Sequence, residues 1–281
     1  MADYGKNFVQ LHNHTHYSLL DGASKIPDLA KRAAELEMPA VGITDHGNMH
    51  GAYEMYTNCV ANGVKPIIGI EAYVTPETAR QDKSRVHWGT EAQRRDDVSG
   101  GGLITHLTMW AENDEGLVNL IKASSVANLE GRVMRYPRMD KEVLSTYSKG
   151  VIASSGCPSG IIQTRLRLGQ FDEALRAAGE FQDIFGKDNF FIELMDHGLT
   201  IENQVTDDLL TIAKKLDAPL LATNDSHYVH AEDAGAQDAM LCINSGSRLD
   251  DPDRFKFDGT GYYIKTAEEM RELFKDHPDA C

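Results

Sequence analysis

The chain has 281 residues, 41% hydrophobic and 25% charged, an ordinary globular balance with room for one large barrel or two modest domains. Its formal net charge of −15 makes a surface that repels nucleic acid unless positive charge is concentrated locally. Four cysteines placed singly (Cys59, Cys157, Cys242, Cys281) exclude a zinc ribbon and argue against a disulfide framework, and no apolar run nears the roughly 18 residues that cross a membrane.

The first patterned stretch, residues 8–15, is apolar and β-branched and reads as a strand. Side chains two apart share one strand face, so His12 and His14 project side by side, as two ligands of one metal ion would. Alone, such a pair is more often incidental than ligating; it gains weight because His, Asp, Glu and Cys recur at the ends of later strand-like runs.

A helix is expected over 26–38, with Pro27 in its first turn, then a strand over 40–44, a helix over 51–61 and a strand over 66–74. Residues 75–102 break the rhythm. They are polar, carry Arg80, Lys83, Arg85, Arg94 and Arg95, and end in Gly100-Gly-Gly102. A connection of that length is functional or mobile; its basic residues could touch phosphate, but a solvated loop is the better reading.

The alternation resumes with strands over 103–109, 151–155, 190–195 and 219–223, and helices over 115–129, 160–168, 172–185, 201–216, 231–242 and 267–274. A short extended piece lies at 262–264. About seven strand–helix units, without a Gly-x-Gly-x-x-Gly turn, predict an α/β fold: a closed barrel of parallel strands with helices outside. No linker interrupts it, so residues 1–281 read as one domain. The N-terminus has no apolar signal region, which makes the cytoplasm the default location. The end after Asp276-His-Pro-Asp carries no stop signal, and the expectation is the N-terminal part of a longer chain.

In such barrels chemistry gathers where strands end. Those junctions carry His12, His14, Asp21, His46, Glu71, His106, Cys157, Asp225 and His227. Imidazole, carboxylate and thiolate are ligands of zinc-like ions, and the first two also suit manganese or iron. Bland readings exist for each: Asp45 and Asp225 could cap the next helix, and a single cysteine is usually a buried hydrophobe. Chance would not place ligand types at nearly every junction. Asp196-His197-Gly198 is equally ligand-like and is ranked as support outside the ligand set.

These residues resemble the PHP (polymerase and histidinol phosphatase) domain family. The match lies in His12-Asn-His14, Thr44-Asp-His46-Gly, Gly69-Ile-Glu71-Ala-Tyr, His106-Leu-Thr, Gly156-Cys-Pro-Ser-Gly and Thr223-Asn-Asp225-Ser-His227-Tyr. Residues 8–15 and Tyr17-Ser-Leu-Leu-Asp-Gly22 are most similar to the PHP domains of bacterial replicative C-family DNA polymerases. The resemblance covers essentially the whole chain. It implies a distorted seven-stranded (β/α) barrel with a metal site at the C-terminal ends of the strands. It also implies up to three divalent ions, with zinc favoured and manganese or iron as alternatives. One ion would take His12, His14, Glu71 and Asp225; Glu71 would bridge to a second on His106 and Cys157; Asp21, His46 and His227 would hold the third. His14, Glu71 and Asp225 are the expected catalytic subset.

The implied activity is a 3′–5′ exonuclease that proofreads for an attached polymerase, with the ions activating water against a phosphodiester. Implied partners are DNA at a primer 3′ end, the remaining polymerase domains, and replisome proteins such as the sliding clamp; no membrane is expected. Two rivals stand: a phosphomonoesterase of the histidinol phosphatase kind, and a metal-bound scaffold without chemistry.

Overall fold

A computed structural model describes residues 8–96 and 101–281. The strands are β1 (Ala40–Ile43), β2 (Lys65–Val74), β3 (Thr105–Ala111), β4 (Arg138–Met139), β5 (Val151–Ser154), β6 (Phe190–Leu194) and β7 (Leu220–Ala222). The helices that position the site are α1 (Ile26–Glu35), α2 (Ala52–Ala61), α3 (Asp114–Glu130), α4 (Lys141–Thr146), α5 (Ile161–Arg167) and α6 (Phe171–Phe185). They are followed by α7 (Thr200–Asn203), α8 (Thr206–Leu216), α9 (Ala234–Ser245) and α10 (Ala267–Leu273). The single helix expected over 201–216 is two, separated by a turn at residues 204–205, and the Glu202 carboxylate caps the start of the first by accepting from the backbone N–H of His197 at 2.7 Å.

The strands form one sheet in the order β1-β2-β3-β5-β6-β7, with β4 beside β2. The sheet is curled into a distorted (β/α) barrel, as expected, but it is not all parallel. β3 runs antiparallel to both β2 and β5, while β1–β2, β5–β6 and β6–β7 are parallel. A parallel neighbour needs a crossover back along the sheet, usually a helix. Among the described residues the 75–104 connection has a 3₁₀ turn over Glu91–Asp96 and no α-helix, and the chain re-enters the sheet at the end it left. His106 therefore sits at the start of its strand, opposite Tyr73. The functional rim mixes strand C-termini with one strand N-terminus, which corrects the uniform placement at C-terminal ends.

Residues 8–15 are not a regular strand, although they run extended between the two ends of the sheet. On one side Gly42 and Thr44 donate to the carbonyls of Gln10 and Asn13 at 2.8 and 2.9 Å. On the other, Ser226 donates to the His12 carbonyl at 3.1 Å and His14 to that of Ser226 at 2.7 Å. The approach to β1 demands glycine, since a Cβ at position 42 would lie 2.3 Å from the Leu11 carbonyl oxygen. His12 and His14 still share one face, as alternation requires, with ring centroids 5.3 Å apart.

Outside the ring, apolar strand residues such as Ile70, Met109, Phe190 and Ile192 pack with Leu120 of α3, Phe181 of α6 and Ile212 of α8, all buried. A second cluster joins Ile26 and Leu29 of α1 to Val41, Ile43, Met55 and Cys59. Each such side chain contributes about 1.5–3 kcal/mol, which leaves the barrel mouth free to be polar.

The 75–102 segment is stitched to the body. Arg80 pairs with Glu130 and Glu142 at 2.8 Å and with Asp140 at 3.1 Å. Arg138 is fully buried and donates to the carbonyls of Gly131 and Leu103 at 3.2 Å, and to those of Arg80 and Asp82 at 2.6 Å. Arg85 donates to the Gly101 carbonyl, and Lys83 is exposed. The side chains of Arg94 and Arg95 and all of Gly100 lie outside the described residues.

Candidate metal centre

Glu71, fully buried on β2, is the hub. Its Oε1 is 3.1 Å from His106 Nδ1 and 3.4 Å from His12 Nε2; its Oε2 is 2.5 Å from His46 Nδ1 and 3.7 Å from His14 Nε2. Asp225 Oδ1 lies 3.1 Å from His14 Nε2 and 3.4 Å from His12 Nε2. Asp21 Oδ2 lies 2.7 Å from His46 Nε2 and 3.6 Å from His227 Nε2. Cys157 Sγ is 3.4 Å from His106 Nδ1. All the residues proposed from sequence thus meet in one place. Three sets, His14-His46-His227, His12-His14-Glu71 and His46-Glu71-His106, have ligand atoms within 4.8 Å of one another. They share His14, His46 and Glu71, so the donors form one connected nest.

The orientation of these donors is imposed from behind. His12 Nδ1 donates to Glu193 Oε1 at 2.7 Å, which turns Nε2 inward, free to ligate once its proton is displaced. His227 Nδ1 donates to the Asp225 carbonyl at 2.7 Å with the same result. Ser18 Oγ gives its proton to Asp45 at 2.8 Å, so it accepts from His14 Nδ1 at 2.9 Å. Seven inward atoms then have no hydrogen-bond partner: Nε2 of His12, His14 and His227, Nδ1 of His46, both Glu71 oxygens and Asp225 Oδ1. An unpaired buried polar atom costs about 1–3 kcal/mol, and a protein does not concentrate seven around one space without a guest. Divalent cations fit this donor set, which is nitrogen and carboxylate oxygen with one sulfur.

Charge obeys the same logic. Burial, reinforced by His46 and His227, pushes the His14 imidazolium down to about 3, so His14 is neutral and able to ligate. Burial opposes ionisation of Glu71, but His106 and His46 outweigh it and hold the carboxyl well below its usual range. Burial lowers His12 and His46 as well, yet Glu193 and Asp225 beside His12, and Glu71 beside His46, carry both well above the ordinary imidazole value. Burial and the nearby Glu71 and Asp225 charges push the Cys157 thiol up, so its thiolate needs a cation next to it.

Neither Asp45 nor Asp225 caps a helix: α2 starts at Ala52 and the turn after Asp225 at Ala231. Asp45 instead accepts from Thr15 N at 2.6 Å, Thr15 Oγ1 at 2.8 Å and Ser18 Oγ, fixing the loop between His14 and Asp21. Asp225 has φ +42°, a left-handed conformation that aspartate tolerates. Its neighbour Asn224 holds it there, donating to the Gly261 and Tyr263 carbonyls at 2.9 and 2.8 Å and accepting from buried Lys265 at 2.5 Å. His197 donates from Nε2 to the Asn224 carbonyl at 2.9 Å and from Nδ1 to Glu202 at 2.6 Å, so it supports the Asp225 segment from outside the nest. Asp196 accepts from Gly198 N at 2.9 Å and closes a turn.

Sequence reasoning missed Glu193. It is a fully buried carboxylate that also accepts from Ser154 and, at 2.6 Å, from Thr223. The signal was present: a charge inside the apolar run Phe190-Phe-Ile-Glu-Leu needs a partner.

The nest opens into a cleft of about 630 Å³ bordered by Asp21, His46 and His106 at its floor and by Tyr73, Arg132 and Arg135 on one wall. Gly47, at φ +63°, lets Tyr73 close against the loop, since a Cβ there would lie 2.7 Å from the ring.

Known proteins share this sequence closely. The DNA polymerase III subunit alpha of Mycobacterium tuberculosis is 55% identical over 99% of this chain, which spans 23% of that relative. The same subunit of Saccharopolyspora erythraea is 56% identical over 98% of the chain and 24% of the relative, and that of Borreliella burgdorferi 40% over 99% and 23%. The chain thus spans about a quarter of the length of these curated relatives. The PHP domain family pattern matches residues 10–197, which carry His12, His14, Asp21, His46, Glu71, His106 and Cys157. By that match, over most of its length, the chain belongs to the PHP domain family.

Proposed function

We propose that this chain is a metal-dependent phosphodiesterase that removes nucleotides from DNA 3′ ends, a proofreading exonuclease domain within a longer replicative polymerase. The observation that carries the reading is the set of seven unpartnered, buried donor atoms around one space at the foot of an open cleft. The chain's 23% coverage of polymerase subunits supports its being one domain, residues 1–281, of a larger chain whose other domains and clamp would be its partners. No helix among the described residues is long and apolar enough to cross a membrane, which is compatible with work in the cytoplasm.

Bound divalent ions, up to three with zinc first, would neutralise phosphate oxygens and lower the pKa of water. The chain's own part is to hold and orient. Asp21, His46 and His227 adjoin as one group, His12, His14, Glu71 and Asp225 as another, and Glu71 links them to His106 and Cys157. Glu193 and Ser18 fix the tautomers of His12 and His14.

The test is a 5′-labelled primer ending in a mismatch, incubated with the protein with and without added metal. Shortening from the 3′ end only with metal is expected. An intact primer at full metal content would leave a scaffold, and release of phosphate from p-nitrophenyl phosphate alone would favour the phosphomonoesterase.

Cys157→Ala should lose about one ion per chain and roughly 10–100-fold in metal affinity; unchanged metal content by elemental analysis would return Cys157 to the core. Metal uptake should also depend on pH with a fixed sign. In the metal-free protein His12, His46 and His227 keep their protons to higher pH than free imidazole. Cations must displace those protons, so affinity rises as pH climbs through the raised values and falls on acidification. Calorimetry in two buffers of different ionisation heat should show proton release; equal affinity at about pH 6 and about pH 8 would contradict it.

A further inference from the structure

The cleft is longer than a phosphate group requires, and its second wall has a composition of its own. Residues 133–136 form a tight turn in which Val133 and Tyr136 exchange backbone hydrogen bonds of 3.0 Å, with Met134 at φ +54°. Buried Arg138 anchors the strand that comes next. The turn places exposed Arg132 and Arg135 on the cleft, with Tyr136 between them and the floor.

These two arginines differ from others in this acidic chain. Arg80, Arg165, Arg176 and Arg254 each pair with a carboxylate. Arg132 and Arg135 have no carboxylate within ion-pair distance among the described residues; Arg135 reaches the Asn244 amide oxygen at 3.1 Å, and it meets Tyr136 through a side-chain hydrogen bond and over its ring, 5.3 Å from the centroid. Tyr136 meets Tyr73 edge-on at 5.1 Å, and Tyr73 stacks on His46 at 6.1 Å and 14°. A track of positive charge and aromatic faces thus leads straight to a ligand histidine. The cleft is also lined by two exposed apolar side chains, Leu19 at 79% and Phe255 at 61% exposure.

We propose that this wall is a cradle for single-stranded DNA: Arg132 and Arg135 take phosphates, and Tyr136, backed by Tyr73, stacks a base, delivering the terminal phosphodiester to the nest. Basic residues interleaved with aromatic faces are how single strands are gripped without sequence preference. Glu71 and His12 are fully buried behind His46 and His106, which do line the cleft, so a strand held on this wall would meet the nest at those two histidines. The cradle rests on the phosphodiesterase reading and gives it a substrate form.

Fluorescence anisotropy with a 5′-labelled oligo-dT strand tests it on the chain stripped of metal with EDTA, so that no strand is hydrolysed. Arg132→Glu/Arg135→Glu should weaken binding at least about tenfold and flatten the dependence of log K on log salt by roughly 1.4, two phosphates' worth. Tyr136→Ala should weaken it roughly 5- to 150-fold, and Tyr136→Phe should restore it, because the ring and not the hydroxyl stacks. A blunt duplex should compete poorly. Wild-type affinity and salt slope in the double variant, with its thermal midpoint intact, would overturn the cradle. So would absence of strand binding by the wild type. Hydrolysis of bis(p-nitrophenyl) phosphate by the wild type reads the metal nest alone. If that fails while strand binding and its arginine dependence hold, the hydrolytic reading falls and the cradle stands.

Discussion

Glu71→Gln is expected to abolish hydrolysis, by about 10²–10³-fold or more, and to strip more than one ion from the centre. The substitution keeps shape and removes one charge. That charge faces four imidazoles, with contacts from 2.5 to 3.7 Å. The amide nitrogen of glutamine would point donor hydrogens at lone pairs that already face inward, so the loss is electrostatic and geometric at once. The apolar packing lies elsewhere, outside the ring, and the fold should persist. Elemental analysis and circular dichroism on the same sample separate the two effects. Full metal content in Glu71→Gln would mean that this carboxylate is not the hub.

Arg138→Met is expected to destabilise the chain by at least about 3 kcal/mol, lowering the melting temperature by roughly 6–12 °C. The methionine fills similar space but leaves the carbonyls of Arg80, Asp82, Leu103 and Gly131 without their donor. Burial pulls the Arg138 pKa below the ordinary guanidinium value, opposed only by the charge of Asp82, so its favourable energy comes from carbonyl dipoles. Loss of the clamp should show as faster proteolysis within residues 80–103. A change under about 0.5 kcal/mol, with unchanged proteolysis, would show that water replaces the guanidinium without cost.

The candidate donor cluster was legible because residue type is what a sequence displays, and imidazole, carboxylate and thiolate are the types metal ligation selects: each of the nine residues named lies in the nest. Strand direction was not legible. The reversal of β3 depends on where a long polar connection returns the chain, and nothing in the pattern of residues 103–109 encodes that. β4 escaped notice because two residues carry no period. Glu193 and Ser18 were passed over because a residue that orients a ligand carries no motif and declares itself only through its neighbours. Arg80 was legible as a cation in a polar connection read as a solvated loop, but its ion pairs were not, since its carboxylate partners lie 50 to 62 residues away.

The N-terminal segment that joins the two ends of the sheet also sets a timetable. A ribosome releases His12 and His14 first, yet the strand edge they pair with on one side, around Ser226, emerges after more than two hundred further residues. Until then the early ligands have β1 beside them and nothing on the other flank. A nascent chain cannot complete the nest halfway through synthesis, and contacts of such sequence separation form slowly. On the proposed function, metal loading would be a late event in the life of each molecule. A chain truncated before Asp225 would hold His12, His14, His46 and Glu71 as an incomplete donor set.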